Sequence, residues 1–164
     1  MGFGLKHMGQ SPKTMLPRAP FRKWPNYFMA HCAEALRPLI HVYGSARARR
    51  APSAPQTWRK GLLIGETHIG DVLYNTGSLP HLHSGLPNCQ WFYLTEQPAA
   101  EVLKTNPYLA DVIEAPRPFD RSKDARQIFT MLREQDFDVA LCYNSGRYWP
   151  DLLLSARLGI PNLF

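Results

Sequence analysis

Beyond residue 58 the apolar positions gather into short blocks: Leu62-Leu63-Ile64, Trp91-Phe92-Tyr93-Leu94, Val112-Ile113 and Val139-Ala140-Leu141-Cys142. Blocks of this length, bounded by Gly, Pro, Asn and Asp, predict buried strands. Between them the apolar positions spread to three- and four-residue steps, which predicts helices. In chain order the pattern predicts a strand near 61–66, a helix over 71–84, a strand over 90–95, a helix over 98–104 and a short strand over 111–114. A helix over 122–135, a strand over 137–142 and a helix over 150–158 follow. Repeated βα units imply an α/β domain, a parallel sheet with right-handed crossovers and helices on both faces.

Turn chemistry supports these boundaries. Gly85-Leu86-Pro87-Asn88 ends the first helix, Asn106-Pro107 ends the second, and Asp136 and Asp138 flank the entry to the 139–142 block. At Leu158-Gly159-Ile160-Pro161-Asn162-Leu163-Phe164 a glycine closes a helix and an apolar run opens a further strand. A doubly wound sheet ordinarily continues through more strands, so the expectation is an apparently truncated domain.

Upstream, Tyr27, Phe28, Cys32, Leu36, Leu39, Ile40 and Tyr43 recur at helical spacing from Trp24 to Tyr43, with Pro38 near the end. Residues 1 to about 25, with four prolines and three glycines among basic residues, have the composition of a disordered segment. Ser45 to Pro55 forms a basic, proline-rich linker. The expected division is a basic extension over 1–57, with an amphipathic helix, and an incomplete Rossmann-like domain over 58–164.

Charge sharpens that division. Residues 1–60 hold 11 Lys or Arg against one acid, Glu34, whereas residues 61–164 hold 8 basic and 12 acidic residues. The basic segment from Arg37 to Lys60 has two functional readings, attraction to anionic lipid head groups or to nucleic acid. The adjacent aromatic amphipathic helix favours peripheral contact with an anionic membrane surface, and no aromatic platform motif accompanies the charge to support nucleic-acid binding. A plain solubilising linker is the alternative.

The three cysteines, Cys32, Cys89 and Cys142, lie far apart without metal or redox spacing, which predicts reduced thiols in a cytoplasmic protein. No apolar run is long enough to span a bilayer, and the start lacks the apolar centre of a signal peptide. His81-x-His83 falls in a helix, where the two side chains point about 200° apart, so no metal site is expected there.

The junction Lys60-Gly61-Leu62-Leu63-Ile64-Gly65-Glu66-Thr67-His68-Ile69-Gly70-Asp71 carries the candidate chemistry: a strand, a turn, then a carboxylate opening a helix. In open α/β sheets ligands bind beyond the carboxyl ends of the strands, so Asp71 sits where a ligand would. It reads either as a general base or as an acid satisfying the free N–H groups and dipole of the first helical turn. Gly65 and Gly70 match neither the dinucleotide nor the Walker arrangement. Gly70 would let a substrate approach the backbone; Thr67 and His68 would hydrogen-bond a sugar or phosphate, or form a solvated turn. Asn144, Ser145, Gly146 and Arg147 follow another strand end. Arg147 could pair with an acceptor phosphate or stand as an ordinary surface arginine, and Trp149 would either shape the same rim or be buried.

These segments, in order over roughly residues 59–164, resemble the N-terminal half of glycosyltransferase family 9, the lipopolysaccharide heptosyltransferases. The resemblance rests on Ile69-Gly70-Asp71-Val72-Leu73, Leu86-Pro87-Asn88, Asn106-Pro107-Tyr108-Leu109-Ala110-Asp111-Val112-Ile113, Phe137-Asp138-Val139-Ala140-Leu141 and Ala156-Arg157-Leu158-Gly159-Ile160-Pro161. Departures are Glu66-Thr67-His68 in the turn, Thr76-Gly77 in place of a Thr-Pro pair with an extra Pro80 that could bend the helix, and Cys142-Tyr143-Asn144-Ser145-Gly146-Arg147 in place of the commoner Asp-x-Gln-Gly.

The resemblance implies the N-terminal, acceptor-side Rossmann-like domain of a two-domain GT-B glycosyltransferase. Asp71 would be its catalytic base, and Thr67, His68, Gly70, Asn144, Ser145 and Arg147 would contact the acceptor. The implied reaction is inverting transfer from a nucleotide sugar, ADP-heptose in this family, to a lipopolysaccharide core glycolipid. It uses no cofactor and no metal, and runs at the cytoplasmic face of the inner membrane. The donor site would lie mostly in a C-terminal domain outside this chain, leaving the chain alone without useful transfer. The alternative is a membrane-associated Rossmann-like binding domain without catalysis.

Overall fold

A computed structural model describes the backbone of residues 24–65, 68–115, 123–143 and 148–164, and the side chains of these except 24–34, 123–125 and 148–150. Five strands, β1 (Lys60–Ile64), β2 (Gln90–Thr95), β3 (Asp111–Glu114), β4 (Val139–Cys142) and β5 (Asn162–Leu163), form one sheet in the order β3-β2-β1-β4-β5. Every neighbouring pair is parallel. The helices are α1 (Trp24–Arg47), α2 (Ile69–Thr76), α3 (Leu79–Gly85), α4 (Ala99–Leu103), α5 (Lys123–Glu134) and α6 (Tyr148–Leu158). This is the doubly wound Rossmann-like order that the βα alternation predicts.

Strand alternation sorts the core into two layers. Leu63, Trp91, Tyr93 and Val139 face α2, α3 and α4 through Val72, Leu79, Ala99 and Leu103. Leu62, Ile64, Leu94, Ile113 and Ala140 face α5 and α6 through Leu132, Leu154 and Leu158. Strands buried on both faces read as continuous apolar runs. The absence of a side chain at Gly61 makes room for Trp91, whose ring occupies the space a Cβ there would need.

The expected helix over 71–84 is two helices. Gly77 and Ser78 interrupt it: Thr76 Oγ1 donates to the Leu73 carbonyl at 2.6 Å and Ser78 Oγ to the Asn75 carbonyl at 2.8 Å, satisfying the last turn of α2. Pro80 has no N–H to continue the ladder but fits the first turn of a new helix. The 137–142 strand begins only at Val139, because the Asp138 carboxylate turns to the start of β1, where it accepts the N–H groups of Arg59 and Lys60 at 2.7 and 3.0 Å.

α1 continues past Tyr43 to Arg47, so Ser45-Ala46-Arg47 belongs to the helix rather than to the linker. Ala and Arg are strong helix formers, and the Arg47 guanidinium lies over the Tyr43 ring one turn back, 5.4 Å from its centroid. Pro25 sits in the first turn, where it is tolerated; the rest of the expected disordered start, residues 1–23, falls outside the described residues.

The end of α1 packs on α6. Ile40 is buried with Leu152 and Ala156, and a Cβ at Gly44 would lie 2.9 Å from Leu163 and 3.2 Å from Ala156. The pairing of 40 with 152 and of 44 with 156 makes α1 parallel to α6. Gly159, at φ 78°, closes α6 and accepts the Arg49 amide at 3.1 Å. Arg49 and Arg50 donate to the Arg133 and Asp136 carbonyls, each at 2.8 Å, and Arg50 pairs with Asp138 at 3.0 Å. Residues 40–50 thus pack across the compositional boundary at 58. No helix among the described residues is long and apolar enough to cross a membrane.

Candidate functional site

The chain leaves β1 toward β2 on one side, while β4 lies on the other, so the helices that follow β1 and β4 depart over opposite faces. In doubly wound sheets the ligand crevice lies at such a switch point, beyond the carboxyl ends of the two central strands. The strand ends are tied together there: Tyr143 N–H donates to the Ile64 carbonyl at 2.9 Å, and Gly65 N–H to the Leu94 carbonyl at 3.3 Å. The points where the chain leaves β1 and β4, at Ile64 and Tyr143, are therefore neighbours, although more than 70 residues separate them in sequence.

His68, in extended conformation, is the N-cap of α2 and makes no side-chain capping bond; Asp71 is the third helical residue. At that position the carboxylate meets the positive end of the helix dipole. The Asp71 side chain is 62% exposed, and His68 Nδ1 stands 3.9 Å from its Oδ2, an ion pair when the imidazole is protonated. Gly70 faces open space, with no atom within 4 Å of where a Cβ would be. His68, Gly70 and Asp71 thus form one exposed turn of carboxylate, imidazole and bare backbone. The other expected acceptor contacts, Thr67, Asn144, Ser145 and Arg147, lie outside the described residues, as does the side chain of Trp149.

Between α2 and the ends of β2 and β4 is a polar and aromatic cluster that the sequence pattern does not reveal. Tyr93 from β2 and Tyr143 after β4 stack with ring centroids 6.3 Å apart and planes 10° apart. Asn75 Nδ2 donates to the Tyr93 hydroxyl at 3.4 Å, and Ser78 Oγ and the Tyr143 hydroxyl share a hydrogen bond at 2.5 Å. Gly65 makes this possible, since a Cβ there would fall on the Tyr93 phenol. Burial pushes the Tyr143 phenol above its ordinary range, partly offset by the bond to Ser78, so it stays protonated at neutral pH. The signal was present in Asn75 and Ser78, two polar residues spaced to fall on the inner side of α2 and its exit; their aromatic partners come from strands far away in sequence.

Neither described cysteine is a nucleophile at neutral pH. Burial pushes Cys89 up to about 11, with a smaller push from Asp138. Burial, then the Asp151 carboxylate, pushes Cys142 up to about 12 against a hydrogen bond with Ser155. Alkylation by iodoacetamide at pH 8 is expected to be slower than for a free thiol by about a hundredfold at Cys89, following the thiolate fraction. Mass spectrometry of the timed reaction checks this, and labelling of Cys89 at the rate of a small thiol would contradict it. His81 and His83 are exposed on α3, where the His83 ring lies 5.7 Å from Tyr108. The described residues contain no group of three side chains able to hold a metal ion.

Among solved structures, this chain is similar to a glycosyl transferase family 9 protein from Veillonella parvula DSM 2008, with a TM-score of 0.52 and 18% identity. The match covers 70% of this chain and 33% of that one, so the chain spans about a third of that protein's length. At this identity the similarity establishes a shared fold. No protein-family model and no curated protein matches the sequence.

Proposed function

We propose that this chain is the acceptor-side domain of a glycosyltransferase of the family 9 type, acting on a nucleotide sugar and a glycolipid acceptor. The observation that carries the reading is the exposed Asp71 carboxylate on the first turn of α2, beyond the carboxyl end of β1 at the switch point. A carboxylate so placed can take the proton from an acceptor hydroxyl as that oxygen attacks the anomeric carbon. The nucleoside diphosphate then leaves from the opposite face of the sugar, which inverts the anomeric configuration. His68, within 4 Å of the carboxylate, stands where it would hydrogen-bond the same acceptor. Open backbone at Gly70 leaves room for the acceptor. A heptosyl group from ADP-heptose and a lipopolysaccharide core acceptor are the specific substrates favoured by the sequence resemblance, with a further domain supplying most donor contacts and the chemistry requiring no metal.

Titration of the isotopically labelled chain with a soluble core oligosaccharide, and separately with a nucleotide sugar, tests this by NMR. The oligosaccharide is expected to shift the amides of His68, Gly70, Asp71 and Tyr143, with little effect from the nucleotide sugar. Nucleotide sugar saturating the same amides, or an oligosaccharide that moves none of them, would sink the acceptor-side assignment. Binding of the oligosaccharide with no sugar transfer detected would favour the non-catalytic alternative.

A further inference from the structure

We infer that the exposed stripe of α1 is a docking face for an anionic bilayer, set so that the crevice end of the sheet approaches the lipid. The inference rests on the acceptor-side reading only for its purpose, since lipid binding is measured independently of transfer.

α1 has two faces of different fate. Ile40 and Gly44 pack on α6, whereas Leu36, Leu39, Val42 and Tyr43 form an adjoining stripe at three- and four-residue spacing that remains in solvent. Leu39 and Val42 are 62% and 68% exposed, an uncommon condition for aliphatic residues on a helix that has a core to pack against. Because the docked face fixes the helix about its own axis, the stripe is left available to an outside partner.

Charge selects that partner. Residues 1–47 carry seven Lys or Arg against Glu34 alone. Arg47 flanks the stripe over the Tyr43 ring, while Arg49 and Arg50 are already committed to the body. An apolar helical face beside Arg47, in a segment of net positive sequence charge, matches the boundary between acyl chains and anionic head groups. A second copy of the chain would bring the same positive charge against itself, which disfavours self-association.

The parallel register then sets the direction. With residue 40 opposite 152, the start of α6 at Tyr148 stands opposite residue 36, so the first twelve residues of α1 extend beyond it. At 1.5 Å per residue that is about 18 Å of helix, projecting on the side where α6 begins, which is the carboxyl end of β4 and the crevice. A bilayer engaged by α1 would lie on the side from which a glycolipid could reach Asp71.

Flotation of the 164-residue chain with vesicles of phosphatidylcholine, with and without phosphatidylglycerol, tests the inference. Binding is expected only with the anionic lipid and should weaken with added salt. Leu39→Asp combined with Val42→Asp is expected to lower partitioning by about tenfold or more, with an unchanged circular dichroism melt because both positions are exposed. Equal binding to neutral vesicles, or full retention of binding by the double variant, would overturn the inference. So would a stable dimer in light scattering that the double variant dissociates. A chain that binds anionic vesicles but no core oligosaccharide would leave the bilayer face standing and remove the acceptor-side reading.

Discussion

Turnover by the full reading frame that carries this chain is expected to fall by about 10²- to 10⁴-fold when Asp71 is replaced by Asn, the range for losing a general base. The substitution keeps the shape of the side chain and removes its ability to accept a proton. Its stability cost should be small, about 0.3–1 kcal/mol, because the lost contribution is that of an exposed acid at a helix start. The carboxylate is largely in solvent, its ion-pair neighbour is an equally exposed histidine at 3.9 Å, and the N-cap position belongs to His68. Steady-state kinetics beside a thermal melt separate the two roles of Asp71. Loss of turnover with a nearly unchanged Tm supports the base; retained turnover with a lowered Tm would assign Asp71 to the helix and remove the catalytic proposal.

The largest expected effect on stability lies at the other end of the sheet. Asp138 is 7% exposed, and one of its oxygens accepts the N–H groups of both Arg59 and Lys60 while the other pairs with Arg50. Its backbone is engaged as well: its N–H donates to Lys60 and its carbonyl accepts Asn162 Nδ2 at 2.8 Å. This one residue therefore joins β1, β4, β5 and the segment that follows α1. Asp138→Ala would leave two amides without their acceptor and a guanidinium without its partner, an expected cost of about 3–5 kcal/mol in urea denaturation. Asn, which keeps an acceptor oxygen but not the charge, should fall between the two. Removing the carboxylate also removes its push on Cys89, so that thiol should alkylate faster in Asp138→Ala. A loss under 1 kcal/mol would show that water takes over these bonds.

Local pattern located most elements closely, and the exceptions have identifiable causes. The β2 and β3 bounds follow from the apolar blocks at 90–95 and 111–114, with turn residues on either side. The helix after β1 was harder, since its apolar period runs on through Gly77 and Pro80. Pro80 signals a bend, and the hydroxyls of Thr76 and Ser78, taking up the final carbonyls of α2, show that the helix stops and restarts. The linker is another case: Ser45-Ala46-Arg47 has the composition of a tether, yet continues α1 because Ile40 and Gly44 find a surface on α6.

The candidate site divides in the same way. Asp71 after an apolar strand and a glycine turn is visible from spacing alone. The Tyr93–Tyr143 cluster is not, because its two rings come from strands 50 residues apart.

What the sequence by itself determined is the class of the fold, the succession of strands and helices, and an acid at a strand's end. Those depend on the period of apolar residues and the chemistry of turns, which act over a few neighbouring positions. The tertiary structure alone decided that β4 lies beside β1, so that two strand ends far apart in sequence meet at Ile64 and Tyr143. It also decided which face of α1 is spent on α6 and which stays in solvent, and that Asp138 serves as a junction. These are consequences of packing between segments tens of residues apart, where a side chain's role is set by the partner that burial brings to it.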